Sequence, residues 1–157
     1  MEINIGINHK NRQSVAFELS KILADEFVLF TKTKNAHWNV EGIDFYDKHK
    51  FFEEQANKLN DSVDSVAERI RTLGHIAPAS LKSYLQLTQL EEPKQSKYNS
   101  QSFIKELLDD SEIIINHLRK NINIFANEYE DAGTSDFITS LMQEHEKTAW
   151  FLRNMLR

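Results

Sequence analysis

The chain contains no cysteine, which excludes disulfides, thiolate metal sites and cysteine nucleophiles. Glycine occurs four times and proline twice in 157 residues, and so few turn-forming residues favour long, uninterrupted helices. No apolar run is long enough to cross a membrane. The first twelve residues lack the basic start and apolar stretch of a secretory signal. We therefore expect a cytoplasmic protein.

Composition and charge are those of an ordinary globular chain. Hydrophobic residues make up 40% and charged residues 27%, which suits one core, and we expect a single domain over residues 1–157. The formal net charge is −5 and the pI is near 5.7, so no excess of positive charge marks the chain as a nucleic-acid binder.

The first half of the chain predicts two long helices, because apolar residues recur there at steps of three and four. The first helix is expected from about Asn11 to about Trp38. The second is expected to be capped by Asp44 and to stop at Gly74, a natural helix terminator. Three aromatic residues around this connection are most simply interpreted as core residues: Trp38, Phe45 and Phe52.

The second half predicts two more helices. One carries the apolar residues from Ile104 to Phe125, and the other carries those from Ile138 to Met155 after a turn at Asp131–Ser135. The connection in the middle of the chain, residues 75–99, is long and contains a short helix around residues 80–87. An all-α, four-helix bundle with one long crossover of this kind is the ferritin-like topology. An up-and-down bundle with an idle loop is the competing interpretation.

Six histidines bear on function, and none has a glutamate three residues before it. Glu-x-x-His pairs form the di-iron centre inside a ferritin-like bundle, so such a centre is not expected here. A histidine on an apolar stripe, such as His145, is usually a core residue. His117, His75 and His9 are interpreted as surface, cap and tail residues.

Five residues on the first two helices form a candidate metal site. His37 and His49 lie on either side of a tight connector, and Glu53 lies one turn beyond His49. Asp64 and Glu68 are also one turn apart, but Asp64 lies roughly 22 Å beyond His49 along a helix. One chain cannot bring them to one ion. A twofold dimer with antiparallel second helices would join the histidines of one chain to the carboxylates of its partner.

Simpler interpretations remain open for the same residues. Asp64 and Glu68 taken alone are typical of a solvated helix face, paired with Arg69 or Arg71. His37 and His49 taken alone are more often structural than metal-binding. It is their combination that favours a metal site.

That combination resembles the Dps family of small ferritin-like proteins. His37 and His49 are separated by twelve residues, and His49 and Asp64 by fifteen, as in the family's motif. The other matching residues are Lys34, Trp38-Asn39-Val40, Gly42, Phe45, Phe52, Glu53, Ala67-Glu68-Arg69 and Leu73-Gly74.

The resemblance implies a hollow dodecameric shell with ferroxidase centres at twofold interfaces, in which Fe(II) is oxidised, commonly by hydrogen peroxide, and stored as ferric mineral. His37, His49, Asp64 and Glu68 would be catalytic metal ligands. Glu53, where many relatives have Asp, would be a further one. Iron is the expected metal, with zinc or manganese able to occupy the same ligands.

Three further expectations come from the resemblance. Trp38 would lie beside the iron, and Lys34 could pair with a nearby acid. Three carboxylates resemble the acidic lining of the family's iron-entry pores, although a solvated loop explains them nearly as well: Glu130, Asp131 and Asp136.

DNA binding, which the family's name suggests, is not expected for this chain. The first nine residues contain no lysine or arginine, and the last helix runs to Arg157 without a basic tail. The alternative function is a DNA-binding or structural shell without significant ferroxidase activity.

Overall fold

The computed structural model describes residues 3–93 and 97–157, and the elements found there are helical. The five α-helices are α1 (His9–Asn39), α2 (Phe45–Thr72), α3 (Leu81–Leu87), α4 (Ser100–Asn123) and α5 (Ala132–Met155). A π-helical segment, Ile124–Glu128, continues α4. Among the described residues, no helix combines the length and apolar character that spanning a membrane requires.

The four long helices form two hairpins that pack into one bundle. α1 packs along α2, and α4 packs along α5, while α1 also contacts α3 and α4. The α2–α4 connection crosses the bundle and contains α3. The all-α, ferritin-like bundle with one long crossover is therefore confirmed. The apolar stripes also placed the ends of α1 within two residues of those observed.

The bundle core is apolar and aromatic. Phe52 on α2 and Phe103 on α4 are fully buried and meet edge to face, with ring centroids 6.2 Å apart. Burying one such side chain stabilises the fold by about 1.5–3 kcal/mol. The prediction that Trp38 and Phe45 are core residues was wrong, because their side chains are 67% and 45% exposed in the single chain.

Buried charges attach the crossover to the bundle. The buried Asp25 on α1 accepts hydrogen bonds from the Thr88 hydroxyl at 2.8 Å and from the Gln89 amide at 2.7 Å. Lys32, about two helical turns further along α1, donates to the Glu91 carbonyl at 3.0 Å and pairs with Asp110 on α4 at 2.5 Å. These contacts hold the end of the crossover against both hairpins.

One predicted helix start and one predicted side-chain cap need correction. α5 begins at Ala132, so the predicted turn at Asp131–Ser135 was wrong: Asp131 is the N-cap, and its carboxylate accepts from the Thr134 amide at 2.8 Å. Asp44 is the N-cap of α2 as predicted, but its side chain makes no capping hydrogen bond.

Candidate metal centre

The turn between α1 and α2 brings the two histidines of the candidate site together. Gly42 has φ +130°, a backbone conformation that residues with a side chain rarely adopt. The Glu41 amide donates to the Tyr98 carbonyl at 2.8 Å, so the end of the crossover also holds this turn. Since that amide bonds outside the helix, the carbonyl of His37 has no helical donor four residues later.

The side chains of His37 and His49 are fixed by reciprocal hydrogen bonds. Nδ1 of His37 lies 2.9 Å from the His49 carbonyl oxygen, and Nδ1 of His49 lies 2.8 Å from the His37 carbonyl oxygen. A carbonyl only accepts, so both Nδ1 atoms must carry the proton. In the neutral rings each Nε2 is then a free lone pair. This tautomer is the one that binds a metal through Nε2.

The two rings lie face to face, and a carboxylate lies beside them. Their centroids are 4.1 Å apart, and His37 is buried while His49 is half-buried. Glu53 pairs with Lys50 at 3.0 Å. The hydrogen bond and the charge of Lys50 lower the pKa of Glu53 below its ordinary value, and the two nearby histidines act in the same direction. Glu53 is therefore held ionised next to the imidazoles.

The carboxylate half of the predicted site lies in the second half of α2. Asp64 and Glu68 are exposed, as predicted from their position beside the apolar stripe. Neither pairs with Arg69. That arginine instead donates to Thr134 Oγ1 at 2.9 Å and contacts Asp131 at 3.2 Å, which fastens this end of α2 to the start of α5.

Within one chain the two halves stay apart. His49 and Asp64 are on the same straight element, so their separation remains roughly the 22 Å that the helical rise requires. In the part of the chain that the structure describes, no three histidine or acidic side chains are grouped so that they could hold a metal ion. The two histidines with Glu53 therefore remain one candidate half of a site, and Asp64 with Glu68 the other candidate half.

Exposed aromatic residues surround the histidine set. Trp38 and Tyr46 are 67% and 69% exposed, and Phe45 packs against His49 with ring centroids 5.2 Å apart. In the single chain the ammonium of Lys34 lies 5.2 Å from the centre of the Trp38 ring. Its pairing with a nearby acid stays a prediction. Exposed aromatic side chains at the same end of the α1–α2 hairpin as the candidate ligands suit a protein interface.

The other buried ionisable residues have partners within the chain. His145 is buried as predicted, and its Nε2 lies 2.6 Å from Glu26 Oε1. His117, predicted at the surface, is largely buried, with Nδ1 3.3 Å from Asp25. Asp131, one of the three carboxylates compared with an iron-entry pore, is buried and engaged by Thr134, so its observed role is to cap α5. Sequence spacing gave no signal for the long-range pairs of His145 with Glu26 and of His117 with Asp25.

Comparison with known proteins assigns the family. The model of the ferritin-like domain matches residues 18–157. The DNA protection during starvation protein 2 of Bacillus anthracis is 35% identical over 138 residues, which cover 88% of this chain and 93% of that protein. The chain belongs to the Dps family. The matched residues include α1 of this Dps chain from residue 18 onwards, the whole of the other three bundle helices and both halves of the candidate site.

Two further relatives support the assignment over the full length of the Dps chain. A low temperature-induced protein of a Nostoc strain is 40% identical over 154 residues, with 98% of this chain and 86% of that protein covered. The crystal structure of a Dps protein from Vibrio cholerae, described as a member of the ferritin-like diiron-carboxylate superfamily, superposes with a TM-score of 0.92. It is 31% identical, and the alignment covers 100% of this chain and 98% of that one.

Proposed function

We propose that this Dps chain is a ferroxidase and iron-storage protein. In this proposal Fe(II) is the substrate, hydrogen peroxide is the oxidant, and the ferric product is stored inside a dodecameric cytoplasmic shell that protects against oxidative damage. The observation that carries the proposal is the reciprocal hydrogen bonding of His37 and His49, because in the neutral rings it leaves the Nε2 lone pair of each available to a metal.

The ligand set is completed by a partner chain in this proposal. His37 and His49, with Glu53 beside them, come from one subunit, and Asp64 and Glu68 come from the other. An antiparallel pairing of two α2 helices across a twofold axis would bring each histidine end to a carboxylate end. Imidazole and carboxylate ligands together suit Fe(II), and zinc or manganese ions would compete for the same donors.

The proposed chemistry balances with peroxide. Two ferrous ions each lose one electron, and one hydrogen peroxide molecule takes both electrons and two protons to give two water molecules. Because both electrons are supplied together, no hydroxyl radical is released. The role of the chain is to orient the two imidazoles and supply the carboxylates. Because Fe(II) binds to neutral imidazoles and ionised carboxylates, iron binding should weaken on mild acidification.

A passive shell, or one that binds DNA, is the alternative. Arg12, one of the basic residues at the start of α1, gives that alternative no support: it is buried, and its guanidinium donates to the Ile7 carbonyl at 2.6 Å. Burial leaves this arginine little access to a phosphate group.

The test is the rate of Fe(II) oxidation by stoichiometric peroxide, followed by absorbance. The wild type should oxidise iron rapidly, and the double variant His37→Ala/His49→Ala should be slower by more than about 100-fold, since losing even an outer partner of a metal ligand costs 10–100-fold. The matched control is His9→Ala/His75→Ala, which removes another contacting histidine pair, with centroids 6.0 Å apart.

The control should keep the wild-type rate, and size-exclusion chromatography should show all three proteins assembled. Equal, slow rates in the wild type and both variants would reject the ferroxidase proposal and favour the passive shell.

A further inference from the structure

A cavity of about 440 Å³ lies between α2 and α5, and neither histidine of the proposed metal site lines it. It exists because α2 packs on α1 and α5 packs on α4, while α2 and α5 barely touch each other. Its walls are largely apolar and include Phe51 and Leu59 from α2 and Phe137 and Phe151 from α5. A volume of this size is typical of a small-molecule site.

The floor of the cavity is polar and contains a buried imidazole. His145 lines the cavity, and its Nε2 is hydrogen-bonded to Glu26 Oε1 at 2.6 Å. No described residue hydrogen bonds its other ring nitrogen, Nδ1, and that nitrogen is not fully enclosed by protein atoms. Nδ1 is therefore accessible from the cavity that His145 lines. Oε2 of Glu26, directly behind the ring, is enclosed and has no hydrogen-bond partner among the described residues.

The protonation of His145 makes this nitrogen a donor. Burial by itself would lower the pKa of His145, but the charge and hydrogen bond of Glu26 outweigh it, and the pKa is raised above its ordinary value. The imidazolium carries a proton on both nitrogens. Because Nε2–H donates its hydrogen bond to Glu26, Nδ1–H can donate to an acceptor in the cavity.

The charges at the cavity favour an uncharged occupant. His145 and Glu26 neutralise each other at the floor. Two lysines and two acids also line the cavity in equal number, namely Lys58, Lys147, Asp61 and Glu144. A net ionic ligand would gain no attraction and would have to lose its hydration in an apolar space.

We propose that the cavity between α2 and α5 binds an uncharged aromatic molecule that bears an oxygen acceptor, such as a phenol, an aromatic ketone or a quinone. The ring lies between the phenylalanine walls, and the oxygen accepts from Nδ1–H of His145. Binding at this site is separate from iron binding at His37 and His49, and it does not depend on the proposed ferroxidase activity.

The test is isothermal titration calorimetry of the assembled, iron-free protein with 2-naphthol. One molecule should bind per chain. The variant Ser140→Phe places a ring at the cavity wall and should weaken binding by at least about tenfold, the usual cost of overfilling an apolar site. The matched control is Gln143→Phe, which adds the same ring at an exposed position of α5 that does not line the cavity.

A second comparison changes the ligand and leaves the protein intact. Naphthalene has the same rings without the oxygen and should bind more weakly than 2-naphthol by at least about tenfold, because a site with a buried donor rejects a ligand that cannot accept its hydrogen bond.

Three results would overturn the proposal. The first is no saturable binding of 2-naphthol by the wild type, and the second is equal binding of 2-naphthol and naphthalene. The third is a Ser140→Phe protein that fails to assemble while Gln143→Phe assembles, which would make this face a contact between subunits.

Discussion

The two ends of α2 carry the two halves of the proposed metal site, but the chain prepares them differently. At the start of the helix, His49 is locked to His37 by two hydrogen bonds between side chain and backbone. Further along, Asp64 and Glu68 are exposed, and no hydrogen bond or ion pair with another described residue holds their side chains. The imidazole half is organised before a partner arrives, whereas the carboxylate half has only its helix to position it.

This difference has an energetic consequence. Residues that are fixed in advance lose little conformational freedom when they bind a metal, while long free side chains lose up to about 2 kcal/mol each. In the proposed assembly, the histidine half sets the geometry and the partner's carboxylates adapt to the ion. Removing Asp64 and Glu68 should therefore leave the folded chain intact, because no contact within it depends on them.

The largest predicted effect separates an intersubunit site from a site within one chain. Each of the double variants His37→Ala/His49→Ala and Asp64→Ala/Glu68→Ala should lose fast iron oxidation. Unfolded together in equal amounts and reassembled, they should recover about a quarter of the wild-type rate, because half of the twofold pairs are mixed and each mixed pair has one complete site of two. The measurement is peroxide-driven iron oxidation by the isolated shells.

Each variant must also be unfolded and reassembled alone, and each should remain inactive. Mixed shells that assemble normally but recover no oxidation activity would contradict a metal site shared between two subunits.

His145 sharpens the comparison, because the carboxylate that contacts it comes from its own chain. Glu26 raises the pKa of His145 above the ordinary value of about 6.5 in spite of burial. A raised folded-state pKa stabilises the protein below the unfolded-state value, and this contribution is lost as the pH rises through the folded-state value. Removing one partner alone, as in His145→Leu, should cost about 3–5 kcal/mol at pH 6, since a buried carboxylate is left unpaired.

Thermal unfolding followed by circular dichroism at a fixed protein concentration would measure both effects. The wild type should lose stability between pH 6 and alkaline pH relative to Glu26→Gln/His145→Gln, which has neither charge. Parallel pH dependences of the two proteins would contradict the assigned charge state of the pair.

The helices were predictable because their signal is local. An apolar step of three or four residues and the terminator Gly74 placed α1 and α2 almost where they are observed. The spacing of His37 and His49 around one turn likewise predicted that their rings would meet, and the structure confirms it. The reciprocal hydrogen bonds were not predictable, since they depend on which backbone carbonyls the turn leaves free.

Other features depend on contacts between distant parts of the chain. Glu26 and His145 are 119 residues apart, and no spacing rule connects them. The sequence predicts a turn at Asp131, because aspartate is common both in turns and at N-caps. Its contacts with Arg69 and Thr134 in the structure distinguish an N-cap from a turn residue. Trp38 was placed in the core because an apolar stripe does not distinguish a side chain buried in its own bundle from one left exposed.

The smallest predicted effect tests whether the histidine half is organised by its turn. Gly42 has φ +130°, and an added Cβ would lie 3.3 Å from the Asp44 carboxylate, so Gly42→Ala should destabilise the folded chain by about 1–2 kcal/mol through backbone strain and crowding. The strained turn should also shift His49 relative to His37 and slow iron oxidation severalfold. Gly6→Ala is the matched control, because Gly6 has φ +79° with open space around it and lies outside the hairpin. It should share the strain but keep the wild-type oxidation rate. If Gly42→Ala loses stability while its oxidation rate stays that of Gly6→Ala, then the hydrogen bonds between the histidines, rather than the turn, determine the geometry of that half.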